Sequence, residues 1–440
     1  MSWSNYLINK EVWKYTQLLT AYTLKDIVMI IQRTLDSMDD RLEGHGEKVA
    51  YIMYKLLKCH GGYSDEEILR IITLTVFHDI GVYKVEERNH IVAIDLEIPM
   101  NHSVYGYLFI KYFSPLSDLA KIVLGHHLYP KDFSHSAEIK IPKEALLLNL
   151  ADSIAVLQLR FNKIDPMWIL NKNSNYILEE HKELFKKACD EYDLLEKIEG
   201  DTYLSELYEI LEKRELSREE IISYARMLNY AIDFRSESTI LHTITVEEIS
   251  WQICKMMGLD DYKSTIIKVA SMLHDIGKIS IPINILEKKG SLTKEEFEVM
   301  KSHALVVYKI LSNMGIDDIR DIAALHHEKL NGTGYPFGLR DDQISKEVRI
   351  VAVADILSAL IGKRSYKDEF SKDQVLSILS NMVSNYEIDK DICHLVIENY
   401  DYIKERVKAN TKDTIDLYNN LMNEYETMLK YFDKISFVLK

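Results

Sequence analysis

Apolar residues recur every three or four positions through most of this chain, as in Leu24, Ile27, Val28, Ile31 and Leu35, a period that predicts amphipathic helices rather than strands. The first half reads as helices over Asn5–Leu42, Val49–Leu57, Glu66–Phe77, His102–Phe113, Asp118–Gly125 and Ala145–Leu159. Gly81, after His78-Asp79-Ile80, suits a helix C-terminus, and Ser114-Pro115 breaks the run that carries His102. The second half reads as helices from His242 to near Met257, then Ile266–Leu273, Lys294–Leu311, Ile319–Leu325 and Ile350–Leu360. Between the halves, Asp190–Glu220 is charged and helical, with a break at Glu199-Gly200-Asp201. Ser217 is the expected N-cap of the next helix, since Glu219 and Glu220 follow it. In the tail, Leu417, Leu421, Tyr425, Met428 and Phe432 share a helical face that is expected to pack on its own domain. A homodimer through this helix is the alternative, disfavoured by the lack of three clean heptads. The fold class is all-α.

The two halves carry the same residues in the same order. His45 and His78 are 33 positions apart and His242 and His274 are 32; His102 and His126 are 24 apart, His303 and His326 are 23. An offset of about 200 residues, recovered at chemically distinctive positions, indicates duplication of a whole domain. A chain of 440 residues also exceeds one ordinary core. The expected domains are 1–215 and 216–440. Ten of the fifteen histidines fall on repeated positions, whereas His60, His90, His135, His181 and His394 read as surface or packing residues.

The formal charge of −15 disfavours a duplex nucleic-acid partner, because duplex binding rests on many Lys and Arg contacts to phosphate. A small anionic ligand is compatible with it where divalent cations dominate the local field. No apolar run approaches the roughly 20 residues that cross a bilayer, and the N-terminus lacks a signal-peptide pattern, so no membrane association and a cytoplasmic location are expected. Cys59, Cys189, Cys254 and Cys393 are scattered, which argues against disulfides and a thiolate zinc site.

The repeated residues suggest metal binding. Asp355 lies in Val351-Ala352-Val353-Ala354 and Asp152 in Leu148-Asn149-Leu150-Ala151, and a buried carboxylate without a partner is costly. A lone His-Asp pair is commonly chance; two ordered sets are not. His242, His274, Asp275, His303, His326, His327 and Asp355 are too many ligands for one ion and suit two with open positions. His45, His78, Asp79, His102, His126, His127 and Asp152 repeat the set. Imidazole and carboxylate without thiolate favour iron, manganese or zinc. A pair of ions about 3.5–4 Å apart can share a nucleophile and stabilise the leaving oxygen of a phosphodiester.

The second half resembles the HD-GYP branch of the HD phosphohydrolases. The resemblance runs from about Ile232 to Lys367. It rests on His274-Asp275-Ile276-Gly277-Lys278, on Met300-Lys301-Ser302-His303, on His326-His327-Glu328 leading to Gly334-Tyr335-Pro336, and on Arg349–Asp355. It implies an all-α fold, a metal centre of iron or manganese, and hydrolysis of a cyclic dinucleotide, typically cyclic di-GMP to its linear form. By the same resemblance the seven residues are metal ligands with Asp275 bridging, Lys278 stabilises phosphate charge, and Tyr335, Arg364 and Lys367 contact bases and phosphates. The Gly332-Thr333-Gly334 turn lets backbone approach the ligand.

Several positions depart from the family pattern. Ser238 stands where members with three metals carry Glu, which predicts a binuclear centre. Asn331 and Ser358 each replace an Asp, Ser365 a Pro and Thr245 an Arg. The first half resembles a plain HD domain with a possible second metal pair. Val82 takes the place of Lys278 and Leu128 that of Glu328, no Gly-Tyr-Pro turn follows, and Lys84 is the substitute cation nearest in sequence. The rival readings are a non-catalytic cyclic-dinucleotide receptor and a hydrolase of another nucleotide.

Overall fold

A computed structural model describes residues 22–38, 43–83, 100–131, 139–160, 177–233, 237–288, 290–362 and 370–439. Every regular element among them is helical; extended pairing is limited to the isolated bridges Thr23–Glu215 and Asn331–Arg340. Among the described residues no helix is long and apolar enough to cross a membrane, and all four cysteines are free.

The chain divides into two compact units, one comprising residues 20–227 with 421–440, the other 228–420. In the first unit, helix His45–His60 packs on Asp65–Val76 and Glu144–Arg160, while Met100–Phe113 packs on Ala120–Leu124. In the second, Glu237–Met256 lies against Asp261–Leu273 and Lys346–Ile361, and Lys294–Leu311 against Asp317–Ala324. The equivalent helices therefore recur in the same order and pairings, as duplication requires.

Local sequence explains the helix starts. Ser64 accepts from Glu67 N at 3.2 Å while Glu67 caps Ser64 N at 2.8 Å, and Thr293 and Glu296 make the same reciprocal pair. Ser217 is an N-cap as expected, accepting from Glu220 N at 3.2 Å. Helix Lys294–Leu311 starts and stops where the sequence places it. The helices are closed around apolar cores containing Tyr51, Phe77 and Phe185 in the first unit and Ile253, Ile267 and Val353 in the second.

The tail departs from expectation. Helix Tyr400–Leu439 is 40 residues, roughly 60 Å at 1.5 Å per residue, which outruns one domain. Its end belongs to the first unit rather than to its own domain. Tyr425 stacks on Tyr105 with centroids 3.8 Å apart, and Glu424 accepts from Lys111 Nζ and the Tyr112 hydroxyl, each at 2.6 Å.

One glycine in each unit is fixed by close packing. A Cβ on Gly277 would lie 2.1 Å from the His303 carbonyl oxygen, and one on Gly81 would lie 2.0 Å from that of His102. The turn after each His-Asp dyad thus presses directly on the helix that carries the third histidine. Gly81 serves this contact and is not the helix C-terminus expected of it: the helix ends at Val76 with Phe77 as its C-cap, and Gly81 lies in the 3-10 turn Ile80–Tyr83.

Candidate metal centre

In the second unit the seven sequence-predicted residues converge from five helices or their ends. His274 ends helix Asp261–Leu273 and Asp275 leads into the short 3-10 turn Ile276–Ser280. Asp275 faces both ways: its Oδ2 lies 3.6 Å from His242 Nε2 and 3.2 Å from His274 Nε2, and its Oδ1 lies 3.5 Å from His303 Nε2. Asp355 does the same, with Oδ1 3.1 Å from His242 Nε2 and Oδ2 3.7 Å from His327 Nδ1. The ligand atoms form two triads, His242/His274/Asp275 and His303/His326/His327, each within 4.8 Å. Donor atoms about 2.0–2.2 Å from one cation stand some 3–4 Å from each other, and the carboxylate–imidazole distances of 3.1–3.7 Å fall in that range.

The imidazoles are set in the tautomer that ligation needs. Nδ1 of His274, His303 and His326 meets the carbonyl oxygen three residues earlier, on Ser271, Met300 and Ala323, at 2.7, 2.7 and 2.6 Å. A carbonyl only accepts, so the proton sits on Nδ1 and the Nε2 lone pair faces the cluster. Those three Nε2 atoms are buried and have no hydrogen-bond partner. Orphaned acceptors aimed at two carboxylates fit a cation.

Electrostatics agree. Burial, then neighbouring imidazoles, hold His326 well below the usual histidine range; burial brings His327 to about 3, so both are neutral near pH 7. Burial would raise the Asp275 carboxyl, but His274 and Lys278 outweigh it and hold it well below the usual range. For Asp355 likewise, His242 and His327 outweigh burial and lower it. Lys278 Nζ is paired directly with Asp275 Oδ2.

The first unit repeats the arrangement. His45 Nε2 lies 3.1 Å from Asp152 Oδ1 and 3.8 Å from Asp79 Oδ2, and His78 Nε2 lies 3.4 Å from Asp79 Oδ2. Asp79 Oδ1 faces His102 and His126 Nε2 at 3.7 and 3.9 Å, and His127 Nε2 is 2.8 Å from His102 Nε2. The triads are His45/His78/Asp79 and His102/His126/His127. Where the second unit has Lys278 and Glu328, buried Val82 and Leu128 stand.

Beside the second cluster, the Tyr335 ring lies 4.7 Å from that of His327 and 6.4 Å from that of His303, so it covers the His303/His327 side. Glu328 explains how the chain holds it there, a role sequence reasoning missed. The buried carboxylate accepts from the backbone N–H groups of Phe337, Gly338 and Leu339 at 2.6, 3.1 and 2.9 Å. Asn331 Oδ1 closes the preceding turn by accepting from Thr333 N at 3.0 Å, so this departure is a turn anchor. A Cβ on Gly334 would meet Lys329 N at 2.4 Å, so this glycine lets the loop approach its own backbone. Glu328→Leu, which copies Leu128, removes one acceptor from three N–H groups; a loss of about 1–3 kcal/mol is expected in denaturant unfolding, with metal content unchanged. Unaltered stability would contradict the anchoring role.

Arg364, Lys367 and Lys84 lie outside the described residues, as does the side chain of Ser238. The sequence shows Ser358 as a departure without its role, and does not single out Asp233. Ser358 Oγ lies 3.0 Å from His242 Nδ1, and Asp233, pushed up to about 6 by burial, accepts from Thr243 Oγ1 at 2.6 Å within electrostatic reach of Asp275 and Lys278. Asp233 alone in a helix carries no spacing signal. Ser358, three residues after Asp355, shares its helix face and was visible in principle.

Comparison with known proteins finds the same type of domain in both halves of the chain. The HD domain family matches residues 42–157, and a second HD domain match covers residues 226–392. The 3′3′-cGAMP-specific phosphodiesterase 1 of Vibrio cholerae is 26% identical over 398 residues, covering 86% of this chain and 91% of that protein. The cyclic di-GMP phosphodiesterase response regulator RpfG of Xanthomonas campestris is 39% identical over 171 residues, 38% of this chain and 44% of that protein. A cyclic di-GMP phosphodiesterase of Thermotoga maritima is 42% identical over 145 residues, 32% of this chain and 39% of that protein. The crystal structure of a cyclic GMP-AMP-specific phosphodiesterase from V. cholerae shares the fold, with TM-score 0.56 and 18% identity over 86% of this chain and 98% of the other.

Proposed function

Since the chain belongs to the HD-domain proteins, with two such domains in tandem, we propose that its C-terminal half is a binuclear-metal phosphodiesterase that opens a cyclic dinucleotide to the linear form. The observation that carries this reading is the pair of facing triads spanned by Asp275 and Asp355, with three buried Nε2 atoms left without partners. His242, His274, Asp275 and Asp355 would hold one cation; His303, His326 and His327, with the other oxygen of Asp275, a second. Iron or manganese suits such donors. Bound divalent cations supply Lewis-acid polarisation of a phosphoryl oxygen and acidify a coordinated water.

The protein's own groups do the rest. Lys278 places a fixed positive charge beside Asp275, where charge accumulates on phosphate as the ester opens. The low pKa of His326 and His327 keeps their lone pairs available near neutral pH. The loop anchored by Glu328 sets Tyr335 beside the cluster, where its ring can stack on a base. The apolar Val82 and Leu128 leave the N-terminal cluster without these substrate-handling groups, so catalysis is assigned to the C-terminal half. The reading also sets the protein in the cytoplasm, where its free thiols persist.

The expected ligand from sequence was cyclic di-GMP. The V. cholerae relative that aligns along both domains is named for 3′3′-cGAMP, so both are proposed substrates. Protein loaded with Mn²⁺ or Fe²⁺ is expected to convert at least one of them to a linear dinucleotide with a 5′-phosphate, resolved by chromatography. Binding of both without product from either would overturn the enzyme and favour the receptor.

A further inference from the structure

We infer that Ser358 is a positioning residue that makes the C-terminal cluster the tighter of two metal sites, and that Ala155 leaves the N-terminal cluster a weaker, exchanging one. The inference rests on the metal-centre reading above and goes beyond it by ranking the two sites.

Five ligand histidines, His78, His126, His274, His303 and His326, hold Nδ1 against the carbonyl oxygen three residues earlier. His242 and His45, the first ligand of each set, are not held this way. For His242, Ser358 takes over the task. Its hydroxyl lies 3.1 Å from the His242 carbonyl oxygen, to which it donates its single proton, and 3.0 Å from His242 Nδ1, whose N–H it accepts. Nε2 is thereby left as a lone pair 3.1 Å from Asp355 Oδ1. Ser358 is buried, so no solvent competes for the hydroxyl.

The duplicate lacks this device. His45 occupies the first position of its helix, so no preceding helical turn offers a carbonyl. The residue three past Asp152, matching Ser358, is Ala155, which is fully buried and has no hydroxyl. His45 Nδ1 is accordingly buried without a hydrogen-bond partner, although Nε2 lies 3.1 Å from Asp152, the same distance as in the other cluster. Presenting Nε2 to a cation then requires an N–H with no acceptor. Outer-shell partners of ligating histidines change metal affinity by roughly 10- to 100-fold, which sets the expected gap between the sites.

The test is Mn²⁺ binding to the chelator-stripped full chain, with free Mn²⁺ read by electron paramagnetic resonance. Two classes of site are expected, separated by roughly 10- to 100-fold, with His78→Ala deleting the weaker. Ser358→Ala is expected to weaken the tight class by the same factor, Ser358→Thr to keep it through the retained hydroxyl, and Ala155→Ser to tighten the weak class. A single class in the unmodified chain, or a tight class indifferent to Ser358→Ala, overturns the inference while leaving the metal centre standing. Absence of any Mn²⁺ binding overturns the metal-centre reading instead. Should Ala155→Ser disturb packing at its buried site, the Ser358 pair decides.

Discussion

Replacing Asp275 with alanine is expected to remove bound metal and turnover together. Its two oxygens reach both triads from the His-Asp turn, at 3.2 Å from His274 and 3.5 Å from His303. Without it Asp355 is the one carboxylate among the described residues left facing both triads, and His274, whose proton affinity Asp275 raises against burial, loses its main electrostatic partner. The fall in turnover should therefore exceed the roughly 10²–10³-fold contributed by a single electrostatic donor. Elemental analysis beside the cyclic-dinucleotide assay checks it. Normal turnover, or full metal content with normal turnover, would contradict the bridging role.

Replacing Lys278 with methionine is expected to separate the two readouts. The side chain keeps much of its length but loses the ammonium paired with Asp275. Turnover should fall by roughly 10²–10³-fold, while metal content stays at the level of the unmodified protein, because Lys278 offers a donor and no lone pair to a cation at neutral pH. The cation is well defined: burial opposes its charge, but Asp275 outweighs burial and raises its pKa. Loss of metal would recast Lys278 as a structural partner of Asp275. Undiminished turnover would remove it from the mechanism.

Much of this was legible in the sequence because histidine is scarce and the duplication repeats it. The order His, His-Asp, His, His-His, Asp appears twice, and all fourteen residues fall into the two clusters. Helix spacing could not assign oxygens to triads, because that depends on the packing of helices remote in sequence. Nor could it show that Gly277 and Gly81 act by close approach to a neighbouring helix, since their Cβ clashes are with His303 and His102 backbone. Ser358 was read as a missing carboxylate, whereas its hydroxyl orients His242. The tail was misplaced for a related reason. Its apolar face is evident, but the partner face, around Tyr105, lies more than 300 residues earlier in the chain.

The most direct test of the central claim is an anomalous difference map from crystals of the Mn²⁺-loaded chain. Peaks are expected within bonding distance of His274 Nε2, Asp275 and Asp355 and of His303, His326 and Asp275. A map without peaks among these side chains, from protein that still hydrolyses a cyclic dinucleotide, would contradict it.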